Sequence, residues 1–438
     1  MTIWIILMFV CLMFLLLLGY PVAFTLGAVA MLFGSTLLGL DFFRFLPLRI
    51  WGIMTNFTLL AVPLFIFMGI VLDKSGIAEE LLETMGRLFG KLRGGLAISV
   101  VIVGAMLAAT TGVVGATVVT MGIIALPTML KRGYSPKLAT GAIAASGTLG
   151  QIIPPSIVLI LLGDVMGVPV GRLFIGAVVP GLLLVLLFLT YVGIIAWVKP
   201  QAAPALPAES GREQGLLATC ATLLPPLLLI IGVLGSIFFG IASPTESAAV
   251  GAAGALLLAA AHKRLTLQNL QAAMQLTARL TSMVFLILIG ATAFGLVFRG
   301  LGGDVLVFDV MTNLPGGEWG FILVSMLLIF ILGFFLDFLQ ICFIVIPILA
   351  PIAQSLHIDL LWLSVLIAIN LQTSFLTPPF GFSLFYLKAV VPDGVTLRHI
   401  YSGIIPFVLI QLVTLLMLAS FPGLVTWLPD IMDALQGL

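Results

Sequence analysis

Long apolar runs alternate with short polar breaks along almost the whole chain, and the run lengths set the first expectations. A bilayer core takes about 20 apolar residues of helix. Runs of that order predict spans at 3–18, 21–40, 50–72, 137–168, 172–198, 216–240, 244–261, 277–298, 361–390 and 398–420. Two of them, 137–168 and 361–390, are interrupted by "SGTLGQIIPPS" and "NLQTSFLTPP", where Gly and Pro break a helix, so they read as broken spans. Segments 94–130 and 317–352 are each long enough to cross twice but turn polar or Gly-rich at "ATTGVVGAT" and "GFFLDFLQ". Each is expected to be a re-entrant hairpin that goes in and comes back. Residues 76–95 differ again: Leu81, Leu82, Met85, Leu88, Phe89 and Leu92 share one helical face and Glu79, Glu80, Glu83, Arg87 and Lys91 the other, the pattern of an amphipathic arm in the interface.

Composition turns this pattern into a class. The 438 residues are 62% hydrophobic and 8% charged, with mean hydropathy +1.31, as expected of an all-α polytopic membrane protein. A net charge of +1 leaves no basic footprint for nucleic acid. The N-terminal run has no positive leader and no small-residue cleavage site, so it is expected to be a retained span. Cys11, Cys220 and Cys342 sit in apolar segments without metal-ligand spacing and read as small hydrophobes. His262, His357 and His399 are isolated, no HExxH or Walker A pattern is present, and "GLGGD" at 300–304 departs from the GxGD of intramembrane aspartyl proteases. An enzyme is not expected.

The runs recur in order. Pro154-Pro155 in "GQIIPPSI" and Pro378-Pro379 in "SFLTPPFG" are displaced by 378 − 154 = 224, Pro127 and Pro351 by 224, Pro21 and Pro244 by 223, and Arg172 and Arg398 by 226. An internal repeat follows. Its halves are 1–198 and 216–438, joined by the Pro-rich connector "KPQAAPALPAESGREQG" at 199–215. Lys74, Arg87, Lys91, Arg93, Lys131, Arg132 and Lys137 flank the first hairpin, whereas the second has Arg299 against Asp304, Asp309, Glu318 and Asp359. The positive-inside rule then places the first hairpin on the cytoplasmic side and the second outside. Five crossings per half give the same answer: an inverted-topology repeat with both termini outside and the connector and "HKR" (262–264) inside.

Broken helices in an inverted repeat are where secondary transporters hold substrate and coupling ion. All four breaks combine Gly or Pro with hydroxyl or amide side chains, which supply the neutral oxygens that suit Na+, while helix N-termini suit a carboxylate. Asp337 sits in almost continuous hydrocarbon, "ILGFFLDFLQICFIVIPILAP". A charge at that depth costs about 2.5–3.5 kcal/mol on insertion scales. Three readings compete for it: a Na+ ligand, a proton-coupling group, or a cap on the returning helix of the hairpin. Glu246 in "ASPTESAAVG" reads as first-turn stabilisation after Ser243-Pro244, and Arg172 and Arg398 as interface anchors.

At these motifs the sequence resembles the large membrane subunit of tripartite ATP-independent periplasmic (TRAP) transporters. The resemblance covers nearly the whole chain and rests on "AVPLFIFMGIVLDKSGIAEEL", "LPTMLKRGYSPKLATGAIAASGTLGQIIPPSIVLILLGDVMGVPVGRLFIGAVVPG", "ASPTESAAVGAAGALLL" and "LTPPFGFSLFYLKAVVPDGVTLRHIYSGIIPF". It implies a Na+-driven importer of organic anions, usually carboxylates, in a bacterial inner membrane. It further implies an elevator mechanism and two protein partners, a small four-helix membrane subunit, here expected as a separate chain, and a periplasmic substrate-binding protein. Mapped onto the four breaks, the expected substrate contacts are Thr110, Thr111, Gly112, Thr148, Gln151, Gln340 and Thr377. The expected Na+ ligands are Thr117, Ser146, Gly150, Gly333, Asp337, Asn370 and Thr373, and Pro154, Pro155, Pro378, Pro379 and Glu246 are expected to be structural. No cofactor beyond Na+ is implied. One departure stands out: the first tip of many relatives resembles a Ser-Gly-Ser-Ser run, whereas Thr110 and Thr111 are followed here by Gly112, Val113 and Val114. The competing readings are a self-sufficient Na+- or H+-coupled dicarboxylate permease and, more distantly, an intramembrane hydrolase.

Overall fold

The fold is known from a computed structural model, which describes residues 2–112, 114–205, 216–379 and 381–436. Among these the secondary structure is helical throughout. The first half contains α1 (Thr2–Leu17), α2 (Val22–Leu37), α3 (Leu46–Met54), α4 (Ala61–Lys74) and α5 (Ile77–Phe89). A hairpin follows, α6 (Gly95–Thr111) and α7 (Val114–Lys131), then α8 (Pro136–Thr148), α9 (Ile157–Met166) and α10 (Val170–Val198). The second half contains α11 (Leu216–Phe238), α12 (Pro244–Ala261), α13 (Leu267–Gly300) and α14 (Gly303–Thr312). Its hairpin is α15 (Glu318–Leu332), α16 (Phe338–Gln340), a π-helical turn (Ile341–Val345) and α17 (Ile346–Ser355). After it come α18 (Leu360–Leu376), α19 (Phe382–Lys388), α20 (Leu397–Ser420) and α21 (Gly423–Gln436).

Element starts carry the repeat further than the prolines do. The offset is 318 − 95 = 223 for α6 and α15, 360 − 136 = 224 for α8 and α18, and 382 − 157 = 225 for α9 and α19. It is 303 − 77 = 226 for α5 and α14, and 397 − 170 = 227 for α10 and α20. The fold is a polytopic, inverted-topology repeat with two re-entrant hairpins and two broken helices.

Three elements differ from the sequence expectation. The span expected at 50–72 is two pieces, Leu40–Met54 and Thr58–Lys74, bent by 57°. The bend falls at Asn56, whose side-chain oxygen accepts the Thr58 N–H at 3.0 Å and so competes with a continuing helix. The helix expected at 277–298 begins ten residues earlier, where Thr266 caps it by accepting from Asn269 N. Helix α21 was not anticipated; Arg172 of α10 pairs with its Asp433 at 2.9 Å and, more loosely, with Asp430 at 3.9 Å. Arg172 therefore has a specific partner in addition to any interface role. Amphipathic α5 is present and buries Ile77, Leu81, Leu82 and Met85. Leu88 and Leu92, expected on the same face, are exposed, Leu92 lying beyond the helix end.

The helices sort into two groups. In one, α1, α2, α4, α11, α12 and α13 pack on one another. In the other, α8 is enclosed by α6, α7 and α20, and α18 by α15, α20 and α9, with α10 and α21 alongside. In the second group α8 and α20 approach backbone to backbone, where a Cβ at Gly141 or Gly403 would run into the backbone carbonyl of Gly403 or Lys137 respectively. The Ser243–Glu246 capping box starts α12 as the sequence suggests: Ser243 N donates to Glu246 Oε2 at 2.8 Å and Glu246 N to Ser243 Oγ at 3.3 Å.

Candidate functional site

Each hairpin tip lies against the break of the neighbouring helix. In the first half, Gly112 closes α6 with a φ of +59°, a left-handed conformation that favours glycine. A Cβ there would stand 3.2 Å from the Ile157 side chain and 3.4 Å from its backbone nitrogen, so the tip meets the start of α9. Deeper along the contact, Gly104 fits over Ser146, Gly147 over Val118, and Gly150 lies over Ala108, whose carbonyl oxygen would be 3.3 Å from an added Cβ. The facing break runs from a 3-10 turn at Leu149–Gln151 through Pro154-Pro155, joined by a cis peptide, to Ser156.

Its hydroxyls share one arrangement. Ser146 donates to Ile143 O at 3.1 Å, Thr148 to Ala145 O at 2.8 Å and Ser156 to Gln151 O at 2.9 Å. Each proton is used on the backbone, which leaves oxygen lone pairs free to face a cation. All three side chains are buried, as is Thr117 on α7. Val113 and the side chains of Thr110 and Thr111 lie outside the described residues.

The second half repeats the contact with different residues. Gly333 follows α15, and a Cβ there would collide with Ser374 of α18. Asn370 donates its side-chain N–H to Met326 O at 2.7 Å, tying α18 to α15 while its own Oδ1 stays open. Thr373 donates to Ile369 O and Thr377 to Thr373 O, both at 2.7 Å, the same backward pattern as in the first break. Pro378-Pro379 is again cis.

Asp337 occupies the second tip as the N-cap of α16, its Oδ1 accepting the Phe338 N–H at 2.7 Å. The capping role anticipated as one of its three readings is therefore present. Among the described residues no Lys, Arg or His forms an ion pair with it. The π-helical turn begins four residues on, a local widening that recurs near functional sites. The buried Cys342 thiol, five residues on, is near enough to feel the charge of Asp337, with no hydrogen bond between the two, and the described residues contain no cluster of His, Cys, Asp or Glu able to hold a metal.

The expected amides are enclosed by protein. Gln151 is fully buried and Gln340 nearly so; neither amide atom of Gln151 and not the Gln340 Oε1 has a hydrogen-bond partner. Thr148 accepts from Gln411 Nε2 of α20 at 3.4 Å, which turns it toward α20. Sequence reasoning missed Tyr386 on α19. Its ring packs on Gly115 in the first turn of α7, where an added Cβ would be 3.0 Å away, and it is close enough to feel the charge of Asp337. One side chain thus touches the first hairpin and stands near the tip of the second. The available signal was a tyrosine seven residues after Pro379 in the half-helix "FSLFYLK".

This geometry fits what comparison with known proteins shows. Residues 9–424 match the model of the family described as tripartite ATP-independent periplasmic transporter, DctM component. The chain belongs to the DctM family. DctM proteins are transporter permeases, not enzymes, and membership of a tripartite system implies a periplasmic binding protein and a small membrane subunit as partners in a multi-pass bacterial membrane assembly. Similar curated proteins include the C4-dicarboxylate TRAP transporter large permease protein DctM of Pseudomonas aeruginosa, 34% identical over 89% of this chain and 90% of that protein. The sialic acid TRAP transporter large permease protein SiaM of Vibrio cholerae is 30% identical over 94% of this chain and 95% of its own. Among solved structures, the Alcanivorax borkumensis YdaH transporter superposes with a TM-score of 0.65 over 94% of this chain and 98% of that one. At 14% identity that likeness speaks for the fold of a DctM chain alone.

Proposed function

We propose that this chain is the Na+-coupled transport subunit of an organic-acid importer. The observation that carries the reading is Asp337. Its carboxylate caps α16 on the second hairpin tip within an almost continuous apolar run, with no cationic side chain paired to it among the described residues. A sodium ion would supply that charge. Asp337, Thr373, Asn370 Oδ1 and the backbone at Gly333 would hold it in the second half, and Ser146, Thr117 and the backbone at Gly150 in the first, with neutral oxygens only. The donor set fits a hard monovalent cation better than a transition metal, since no thiolate or imidazole contributes.

An organic acid would lie between the two tips, its carboxylate toward the α7 N-terminus and the Tyr386 hydroxyl. Two relatives named for C4-dicarboxylates and sialic acid support the substrate class. The helix group of α6–α10 and α15–α21 would move as an elevator against the group of α1–α5 and α11–α14, with both termini outside and a four-helix partner on the static group. The test is uptake into proteoliposomes holding this chain and its small subunit, with binding protein loaded with succinate or sialic acid. Uptake driven by an inward Na+ gradient and absent without binding protein is expected. Uptake without the binding protein would favour a self-sufficient permease, and uptake driven by a proton gradient alone would replace Na+ with H+.

A further inference from the structure

Two carboxylates belong to neither tip-and-break site, and both are hydrogen-bonded across the two helix groups. Asp73, at the end of α4, accepts from Thr120 Oγ1 of α7 at 3.1 Å. Asp164, on α9, accepts from Asn56 Nδ2 at 2.7 Å. Asn56 sits in the bend before α4, and its amide orientation is fixed because its oxygen accepts from Thr58 N. The contacts therefore grip opposite ends of one element of the first group, separated by 73 − 56 = 17 residues, or on the order of 25 Å at 1.5 Å per residue. One end holds a hairpin and the other holds a broken helix.

The repeat shows that this grip is one-sided. Gly69 and Gly76 correspond to Gly295 and Gly302 at a displacement of 226, which pairs Asp73 with Arg299 and Asn56 with Ser282. At the displacement of 224 set by the prolines, Thr120 pairs with Ile344 and Asp164 with Lys388, or with Ala389 at the 225 that separates the starts of α9 and α19. Neither carboxylate thus has an acidic counterpart in the second half. The Asp73–Thr120 bond becomes Arg299 opposite Ile344, which cannot bond at all. The Asn56–Asp164 bond becomes Ser282 opposite Lys388 or Ala389, all exposed. In an inverted repeat, the state facing the other side places second-half residues in the relation that first-half residues hold here.

We infer that Asp73 and Asp164 are positioning residues that hold the hairpin-bearing group in the position seen here, and that the second half supplies no equal hold in the opposite position. The inference rests on the elevator reading above. Both bonds must break as the group moves, and the protein without substrate favours the present position.

The experiment measures the distance between spin labels at Arg49→Cys on α3 and Lys131→Cys on α7, in full-length protein with Cys11, Cys220 and Cys342 replaced by Ala, in lipid nanodiscs. Both label positions are exposed and outside the two contacts. The ratio of the present position to the opposite one is expected to fall about tenfold for each bond removed by Thr120→Val or Asn56→Ala, as for hydrogen bonds to charged acceptors. Thr120→Ser should restore the ratio, which separates loss of the bond from loss of packing. Ser282→Ala with Ile344→Val should leave it within twofold. Two distances in wild type with a ratio unmoved by the Thr120→Val, Asn56→Ala pair would overturn the hold while leaving the elevator intact. A single distance in every variant would overturn the elevator reading and the hold with it.

Discussion

Replacing Gly333 by Ala tests whether the second hairpin tip rests on the broken helix as described. The backbone at Gly333 is right-handed helical, φ −64° and ψ −10°, so Ala fits the chain and by itself would stabilise by about 0.4–1 kcal/mol. The obstacle is Ser374, fully buried, with its hydroxyl donating to Leu371 O at 2.8 Å, so it cannot swing away without leaving a hydrogen bond. Overpacking of this kind costs about 1–3 kcal/mol, and the clash outweighs the backbone gain. The expected result is a lower melting temperature for Gly333→Ala in detergent or nanodiscs, with a diminished stabilisation by Na+ because the tip is displaced from Asn370 and Thr373. Ser374→Gly alone costs about 1 kcal/mol for Gly in a helix but should largely rescue Gly333→Ala, a coupling of at least about 1 kcal/mol in the double-mutant cycle. A neutral Gly333→Ala, or additive effects in the cycle, would refute the contact.

Gly141→Ala or Gly403→Ala places a methyl group against a backbone carbonyl of the facing helix rather than a movable side chain. Both should destabilise by at least about 1–3 kcal/mol, and neither should be rescued by trimming neighbours, as a thermal melt of the variants with Phe407→Leu would show. Arg172→Gln removes the pairing with Asp430 and Asp433. Hydrogen exchange should then rise in 423–436 with little change in global melting, because exposed ion pairs contribute little to stability. Tyr386→Trp should lower succinate or sialic acid uptake by reducing the space between the tips, while the Na+-dependent rise in melting temperature persists; loss of both would place Tyr386 in the packing of α19 instead.

Much of the architecture was legible because membranes leave the backbone few choices. Apolar runs of spanning length must be helices, and a run interrupted by "QIIPPS" or "FFLDFLQ" can be neither a simple span nor a loop in lipid. The repeat was legible from Pro154-Pro155 and Pro378-Pro379 for the same reason, since helix-breaking residues are the ones that a shared backbone geometry requires. The bend at Asn56 was missed because its cause is a single amide bonding locally within an apolar run. Helix α21 was missed because its stability comes from docking on α10 and from Arg172, not from a spanning run. The two breaks fall where expected, and Thr148, at the first of them, accepts from Gln411 of α20. A periodicity argument cannot say which side of a fully buried helix faces a cavity and which faces α20. Tyr386, Asn56–Asp164 and Asp73–Thr120 are contacts between elements distant in sequence, and no local pattern marks them.

The most direct test of the account is the thermal stability of the purified protein with its small subunit, titrated with NaCl against KCl or choline chloride at matched ionic strength, in wild type and Asp337→Asn. Asparagine keeps an acceptor for the Phe338 N–H, so the cap survives while the charge is lost. Linkage gives about 2.7 kcal/mol of stabilisation at a hundredfold excess over Kd. A Na+-specific rise of several degrees is expected in wild type, shrinking in Asp337→Asn. An identical rise in both proteins would leave Asp337 as a cap alone, and no preference for Na+ in wild type would contradict the coupling ion itself.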